Sequence, residues 1–570
     1  MKARHTGRAA FLALLADEGI DHLFGNPGTT ELAIMEALAS RAEIRFVLGL
    51  QESVVLGMAD GFARASNRLT AANVHVAPGL GNAMGALYNA AFCGSPIILT
   101  AGQQELGHGL MEPLLYGPLV QMAQPLVKWA IEVTRVQDLP RIVRRAAKVA
   151  TAPPSGPVFI SLPGDILDAE ADLEMGSRTR VEPMLRPADA VIEDLARRLL
   201  QARYPVIVAG TEISKYQAWA ECTALAEVIG ASVHQQTVPD AAHFPTAHPA
   251  YMGTLPRNQK KVREILLAHD LLVSVGGDSL RMSVHSAVEA LPEGMAVVQL
   301  SERSWDLGKN FPAEFALECN VKETLAALLP RLGALADASQ AAAARTRIAE
   351  LSALNWSAQR ARATAEFGRA AAQEPIDPRY LMLRVAEALP ANAVVIEEAL
   401  TATPALMSVV PYPDARSFMG LAGGGIGFAM PGAVGASLAL PGRPVVAVVG
   451  DGSAMYSIQA LWTAVHLKLP ITYVILNNRS YRILKERMVA FRGARAFAGM
   501  DFHDPQIDFT NLAQSMGVTA VRVSRPGDVD AALREAIASG APRLLEVMVA
   551  DGFDGSGSSK SAGKGSSAST

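Results

Sequence analysis

Short apolar runs alternate along this chain with longer stretches in which apolar residues return every third or fourth position. The strand-like runs fall at 45–48, 72–75, 97–100 and 158–161, then at 206–209, 271–275 and 297–300, and again at 445–449 and 471–476. Strands that take turns with helical patterns imply crossover connections, and therefore parallel sheets. The expected fold class is α/β, with three doubly wound domains at 1–180, 188–335 and 377–553, a polar link at 182–187 and a helical linker at 336–376. The Ala-rich part of that linker, 335–365, reads as one long helical connector. The tail 554–570 is nearly all Gly, Ser, Lys and Ala, too little apolar surface to repay ordering.

Near the start, Phe11-Leu12-Ala13-Leu14-Leu15 could be mistaken for a signal peptide, but the run is short and Asp17-Glu18 follow at once. It reads as an amphipathic helix. Nowhere does an apolar stretch reach the about 18 residues that a spanning helix requires.

Composition narrows the function classes. Half of the 570 residues are hydrophobic, enough for several cores, and the net charge of −4 gives no electrostatic footprint for nucleic acid or an anionic membrane. Cys93, Cys222 and Cys319 lack metal-type spacing and read as reduced structural thiols of a cytoplasmic protein. In the middle block, Gly210 and Gly276-Gly277 follow strands; each fits a nucleotide-type turn or a plain structural one.

The sharpest chemistry lies at Gly450-Asp451-Gly452-Ser453, directly after the 445–449 strand. Glycines there let the backbone turn and approach an anion closely. The 471–476 strand ends in Asn477-Asn478, so neighbouring strand ends would set Asp451 beside Asn478 at the carboxyl edge of the sheet, where ligands bind in open α/β sheets. One carboxylate, one amide oxygen and a backbone carbonyl from Ser480 would suit Mg²⁺ with a diphosphate.

Taken with the strands around it, GDG followed 27 residues later by Asn478 resembles the thiamine diphosphate signature. Further motifs extend the likeness in one order along nearly the whole chain: Phe24-Gly25-Asn26-Pro27-Gly28, Leu50-Gln51-Glu52, Gly81-Asn82-Ala83-Met84-Gly85-Ala86-Leu87, Thr100-Ala101-Gly102-Gln103-Gln104, Pro125-Leu126-Val127-Lys128-Trp129 and the stretch 422–431. The sequence resembles the thiamine diphosphate-dependent 2-oxo-acid decarboxylases, and among them the benzoylformate decarboxylases.

That resemblance implies a pyrimidine-binding first domain, a Rossmann-like middle one and a diphosphate-binding third, with the cofactor across a subunit interface. A homodimer is then the smallest active form and a homotetramer the usual assembly. Glu52, in apolar surroundings, would share a proton with the pyrimidine and so generate the C2 ylid. Gly424 and Ile426, in Gly423-Gly424-Gly425-Ile426-Gly427-Phe428, would bend the cofactor. Glu398, Thr401, Thr403, Gly452, Ser453 and Tyr456 would line its diphosphate side, and Asp451, Asn478 and Ser480 would hold Mg²⁺. His75 and Thr29 would serve the substrate, the relatives having serine where Thr29 stands, with Pro27, Gly28, Leu114 and Leu115 as pocket wall.

Departures from the pattern bear on the substrate. Ser283 stands where the relatives carry a second histidine; His285, two residues on, either replaces it or is a solvated helix histidine. Ile483 and Arg487 stand for small and aromatic pocket residues, and Arg487 either recognises a second carboxylate or faces solvent. The implied reaction is decarboxylation of an aromatic or branched 2-oxo acid to an aldehyde through an enamine. The alternatives are a carboligase like the acetolactate synthases or benzaldehyde lyase, a flavin-bearing oxidase, and a non-enzymatic paralogue.

Overall fold

The computed structural model describes residues 3–553 apart from Ser279, Val284 and His285. The expectations for His285 and for the tail 554–570 therefore lie outside the described residues. Each third of the chain builds a sheet of six parallel strands. Across the first lie Arg45–Leu48, His22–Gly25, Thr70–Val74, Ile97–Gln103, Val158–Pro163 and Ala130–Glu132. Across the third lie Phe418–Gly420, Val394–Glu398, Val445–Gly450, Ile471–Asn477, Arg543–Met548 and Thr519–Val523. In sequence rank both sheets have the same order, 2-1-3-4-6-5, so the first and third units repeat one topology.

The middle sheet differs. Its strands run Tyr251–Thr254, Ser232–Gln235, Pro205–Ala209, Leu271–Val275, Ala296–Ser301 and Phe315–Glu318, which is the order 3-2-1-4-5-6 of dinucleotide-binding folds. A small antiparallel ribbon, Ala3–Thr6 with Glu170–Leu173, ties the chain start to the end of the first unit.

Two expectations on local structure change. The Ala-rich connector is two helices, Ala338–Ser352 and Trp356–Gly368. Alanine favours helix on both sides of the break, but the Asn355 side chain caps Ala358 N–H at 3.0 Å and starts a new helix there. The helix Gly7–Asp17 is not amphipathic in the usual sense: Ala10, Phe11, Leu12, Leu14 and Leu15 are all fully buried, so it packs on more than one face. Among the described residues no helix is long and apolar enough to cross a membrane.

The first and third units meet through Glu52–Ser66 and Ala429–Ala439. Glycine makes this crossing possible. A Cβ on Gly435 would stand 2.0 Å from the Met58 carbonyl oxygen, one on Gly61 would stand 2.4 Å from the Gly432 oxygen, and one on Gly57 would stand 2.4 Å from the Pro431 ring. Around it runs a core shared by both units, from Phe24 and Phe62 to Tyr473 and Phe509.

Candidate active site

In the third unit, the strand order turns back between Val394–Glu398 and Val445–Gly450, the place where open α/β sheets take their ligands. Gly450 pairs with Leu476 across the ladder, so the two strand ends come out side by side. Asp451 is 3% exposed. One carboxylate oxygen accepts from Gly452 N–H at 2.7 Å, and the other from Asn478 N–H at 2.9 Å and Arg479 N–H at 2.6 Å. Burial pushes its pKa up to about 6 against the pull of these donors. Ser480 N–H donates to Asn478 Oδ1 at 2.9 Å. The Asp451 carboxylate, the Asn478 amide oxygen and the backbone of Ser480 meet at this turn, and oxygen donors of this kind are what a hard cation takes. The hydroxyls of Ser453 and Ser457 are buried without a hydrogen-bond partner, which suits a site that receives further polar oxygens. Tyr456 is 55% exposed beside them.

The glycine loop borders the same edge. Gly424 and Gly427 have φ of +84° and +106°, a region that side chains rarely adopt. Glu398 accepts from Gly427 N–H at 2.6 Å and Ala429 N–H at 2.7 Å; burial raises its pKa to about 8 while these donors oppose the shift. Asn89 of the first unit holds Gly425 from the other side, accepting its N–H at 3.0 Å and donating to its carbonyl. Between these anchors Ile426 projects, 38% exposed. Thr403 donates its hydroxyl to Glu397, and Thr401 lies half-buried in the Leu400–Ala402 turn.

In the first unit the equivalent edge carries acids and amides. Glu52 opens the Glu52–Ser66 helix, where a negative charge is favoured. It is 7% exposed and accepts from Asn26 Nδ2 at 3.3 Å and Asn82 Nδ2 at 3.1 Å. No cation pairs with it among the described residues. Gly79 leaves room for it, since a Cβ there would stand 3.1 Å from Glu52 Oε1. His75 caps the Val76–Cys93 helix, and the next residue, Val76, has φ of +41°, an unusual state for a β-branched side chain. Gly28 backs directly onto the imidazole: a Cβ there would lie 2.1 Å from Nδ1. Pro27 is half-buried and Thr29 is exposed at this edge.

Glu31 is the residue that the sequence reading missed. It is fully buried and accepts from Gly28 N–H at 2.8 Å, Gly102 N–H at 2.9 Å and Thr30 Oγ1 at 2.8 Å, and its Oε2 lies 2.8 Å from His75 Nδ1. Thr30, rather than Thr29, approaches His75, at 3.3 Å. The spacing of Gly28 to Glu31, a cap followed three residues later by an acid, was the available signal.

Other expected pocket residues are spread out in the single chain. Leu114 is 85% exposed, close in sequence to Leu110 at 95% and Met111 at 73%, and Leu115 has φ of +71°. Ser283 lies in a bend. On the helix Arg482–Arg492, Ile483 is half-buried and Arg487 is exposed with its guanidinium 5.6 Å from the Phe491 ring. In the middle unit, the crevice between Pro205–Ala209 and Leu271–Val275 is filled from within. Glu212 accepts there from Ser301 Oγ at 2.6 Å and Glu302 N–H at 3.0 Å, and Gly210 packs on Gly276 so closely that a Cβ would stand 2.5 Å from its oxygen.

Known proteins share this arrangement. Residues 5–114, 192–328 and 402–547 match the models of the thiamine pyrophosphate enzyme N-terminal TPP binding domain, central domain and C-terminal TPP binding domain. Benzoylformate decarboxylase of Pseudomonas aeruginosa is 33% identical over 545 residues, 95% of this chain and 98% of that one. A putative acetolactate synthase large subunit of Mycobacterium tuberculosis is 26% identical over 95% of this chain and 99% of its own. Among solved structures, the thiamine diphosphate-dependent 4-hydroxybenzoylformate decarboxylase of Rhodococcus jostii superposes with a TM-score of 0.85 at 31% identity, covering 96% of this chain and 99% of the other. Benzoylformate decarboxylase of Polynucleobacter necessarius gives 0.86 at 27% identity, covering 96% and 99%. With all three of its units matched in order and a relative above 30% identity along almost its full length, the chain belongs to the thiamine pyrophosphate enzyme family.

Proposed function

We propose that this protein is a Mg²⁺- and thiamine diphosphate-dependent carboxy-lyase that converts an aromatic or branched 2-oxo acid to an aldehyde and CO₂, working in the cytoplasm as a homodimer or larger homo-oligomer. The observation that carries this reading is the edge of the first unit, where the buried Glu52 has no cationic partner among the described residues and the His75–Glu31 pair stands on the same rim. When bound, the cofactor supplies a nucleophilic carbon and an electron sink for the bond that breaks.

The chain's own residues take the other roles. Asp451, Asn478 Oδ1 and the Ser480 carbonyl serve as oxygen ligands to the cation, and Gly452, Ser453 and Tyr456 border the diphosphate. Gly424 and Ile426, held by Glu398 on one side and Asn89 on the other, form the rigid ledge against which the cofactor lies. Glu52 is the group that takes and returns a proton, oriented by Asn26 and Asn82 and shielded from bulk water. Because His75 Nδ1 donates its proton to Glu31, Nε2 is the nitrogen left free to take up and return a proton on the substrate side. Thr29 presents a free hydroxyl for the substrate carboxylate. Leu114 and Leu115 supply an apolar wall to a second copy of the chain, which accounts for large side chains left open on the single one. In the middle crevice Glu212 is bonded to Ser301 and Glu302, which gives that residue a structural role.

Aldehyde release across a panel of 2-oxo acids, with and without thiamine diphosphate and Mg²⁺, tests this reading. Formation of a hydroxyketone in place of aldehyde would move the assignment to a carboligase. Glu52→Gln should slow turnover by several orders of magnitude, as loss of a central catalytic group does.

A further inference from the structure

Just past Asn478 the chain runs into a charged cluster that the roles above leave unused. Lys485 is 3% exposed, an extreme for a residue type that is seldom buried unless paired. Its ammonium lies 2.5 Å from Asp501 Oδ1 and 2.7 Å from Asp551 Oδ2. Burial works against the charge, but the two carboxylates outweigh it and the pKa stands above its ordinary value. The other oxygen of Asp551 accepts from Ser480 Oγ.

Three chain segments meet on that ammonium. The first is the turn after Asn478. The second is a strap laid antiparallel over this turn, with Tyr481 N–H donating to the Met500 carbonyl at 2.8 Å and Phe502 N–H to the Arg479 carbonyl at 3.1 Å. The third is the end of the last strand, where Val549 N–H donates to the Asn477 carbonyl at 3.0 Å and Arg482 to the Ala550 carbonyl at 3.0 Å. Phe497 of the strap side and Phe553 of the chain end stack edge to face at 5.2 Å, with the ammonium 5.5 and 5.9 Å from their ring centres. The turn itself has few bonds of its own, chiefly Ser480 N–H to Asn478 Oδ1. Its shape is therefore held from outside.

We propose that Lys485 and Asp551 are positioning residues that hold the turn bearing Asn478 and Ser480 in its ligating shape, and thereby set how tightly the site retains a divalent cation and its diphosphate. This rests on the assignment of Asp451, Asn478 and Ser480 as cation ligands. Neither residue is placed against substrate, so the effect belongs to affinity and not to the chemical step. Partners one layer behind metal ligands commonly govern about 10–100-fold of metal affinity.

The test uses the full-length chain stripped of metal, titrated with Mg²⁺ at saturating thiamine diphosphate by calorimetry, with hydrogen exchange followed over 478–502. Lys485→Met and Asp551→Asn should each weaken Mg²⁺ binding about tenfold or more and speed exchange across that segment, and the double variant should be little worse than the poorer single one. Saturating Mg²⁺ should restore kcat, and Lys485→Arg should retain part of the affinity. If Lys485→Met does not fold, Asp501→Asn, a change at a more exposed partner, should still loosen the strap and give a smaller loss. Unchanged Mg²⁺ affinity and exchange in the folded variants overturns the proposal, as does a kcat loss that saturating Mg²⁺ does not rescue. A wild-type chain that binds neither Mg²⁺ nor thiamine diphosphate, or an Asp451→Ala variant that binds both normally, instead refutes the ligand assignment beneath it.

Discussion

Replacing Glu31 with glutamine should cost about 1–3 kcal/mol of stability and, in one of the two amide orientations, change the tautomer of His75, although the two side chains have nearly the same shape. Four groups converge on the Glu31 carboxylate, two per oxygen: Gly102 N–H at 2.9 Å and Thr30 Oγ1 at 2.8 Å on Oε1, Gly28 N–H and His75 Nδ1 each at 2.8 Å on Oε2. A carboxylate accepts from all of them, whereas an amide has one accepting oxygen and an NH₂ that only donates. With the NH₂ at the Oε1 place, Thr30 can turn its hydroxyl, but the Gly102 N–H faces another donor. With it at the Oε2 place, the Gly28 N–H is stranded and His75 must accept at Nδ1, moving its proton to Nε2. Either arrangement leaves one buried N–H unpaired. Thermal melts read the stability loss, ¹⁵N spectra of the histidine side chains read the tautomer, and kcat should fall about 100-fold, the lower end of acid–base contributions. Glu31→Asp, which keeps the charge but shortens the reach, should retain the tautomer. A Glu31→Gln protein that melts like wild type, keeps its Nδ1-protonated His75 and turns over normally would refute the argument.

Asp451→Ala should abolish Mg²⁺-dependent cofactor binding while the circular dichroism spectrum is kept, because the residue sits at a strand end outside the cores; normal cofactor affinity would remove it from the site. Gly435→Ala should cost more than about 4 kcal/mol or prevent accumulation of folded protein, since its Cβ would meet the backbone of Met58 and Phe62 at 2.0 and 2.5 Å. Gly333→Ala, with open space around its Cβ in a helix, is the control and should stabilise by about 0.4–1 kcal/mol in a denaturant melt. Burial, then the neighbouring Glu302 charge, raises the Glu212 pKa from 4.5 to about 7. The folded state thus holds a proton that the unfolded state releases, so this group's stabilisation is full below pH 4.5 and is lost as pH rises through about 7. Melts between pH 5 and pH 8 should show a shallower decline for Glu212→Gln than for wild type, and parallel curves would count against it.

How much of this was readable in the residues depended on whether neighbours in sequence or in space decide the outcome. The strand Leu271–Val275 was readable to the residue, because Asp270 and Gly276 bound an apolar run interrupted only by Ser274. So was the meeting of Asp451 with Asn478, which follows from parallel register alone. The 72–75 run was read one residue too far, since His75 has extended dihedrals but caps a helix. The burial of Glu31, Lys485 and Glu212 could not be read, for one shared reason. Each is a charged residue in a polar-looking stretch, and its burial is decided by partners far away in sequence: Gly102 for Glu31, Asp551 for Lys485, Ser301 for Glu212. Leu114 was read as pocket wall from the resemblance alone, and only the fold shows that one chain leaves it and Leu110 open.

The glycine crossing between Glu52–Ser66 and Ala429–Ala439 also bears on how such a protein can be recombined. Two domains joined by a loose, side-chain-lined contact can be exchanged between homologues, because rotamers adjust to a new neighbour. Here Gly61 and Gly435 set backbone against backbone and Gly57 receives the Pro431 ring, so Gly57, Gly61, Gly432 and Gly435 must match in register on both helices at once. These two segments lie more than 350 residues apart in the chain yet pack as one part. A chimera cut in the middle unit should fold only when its parents share that glycine pattern, whatever their overall identity, which makes the crossing a compatibility code for shuffling this scaffold.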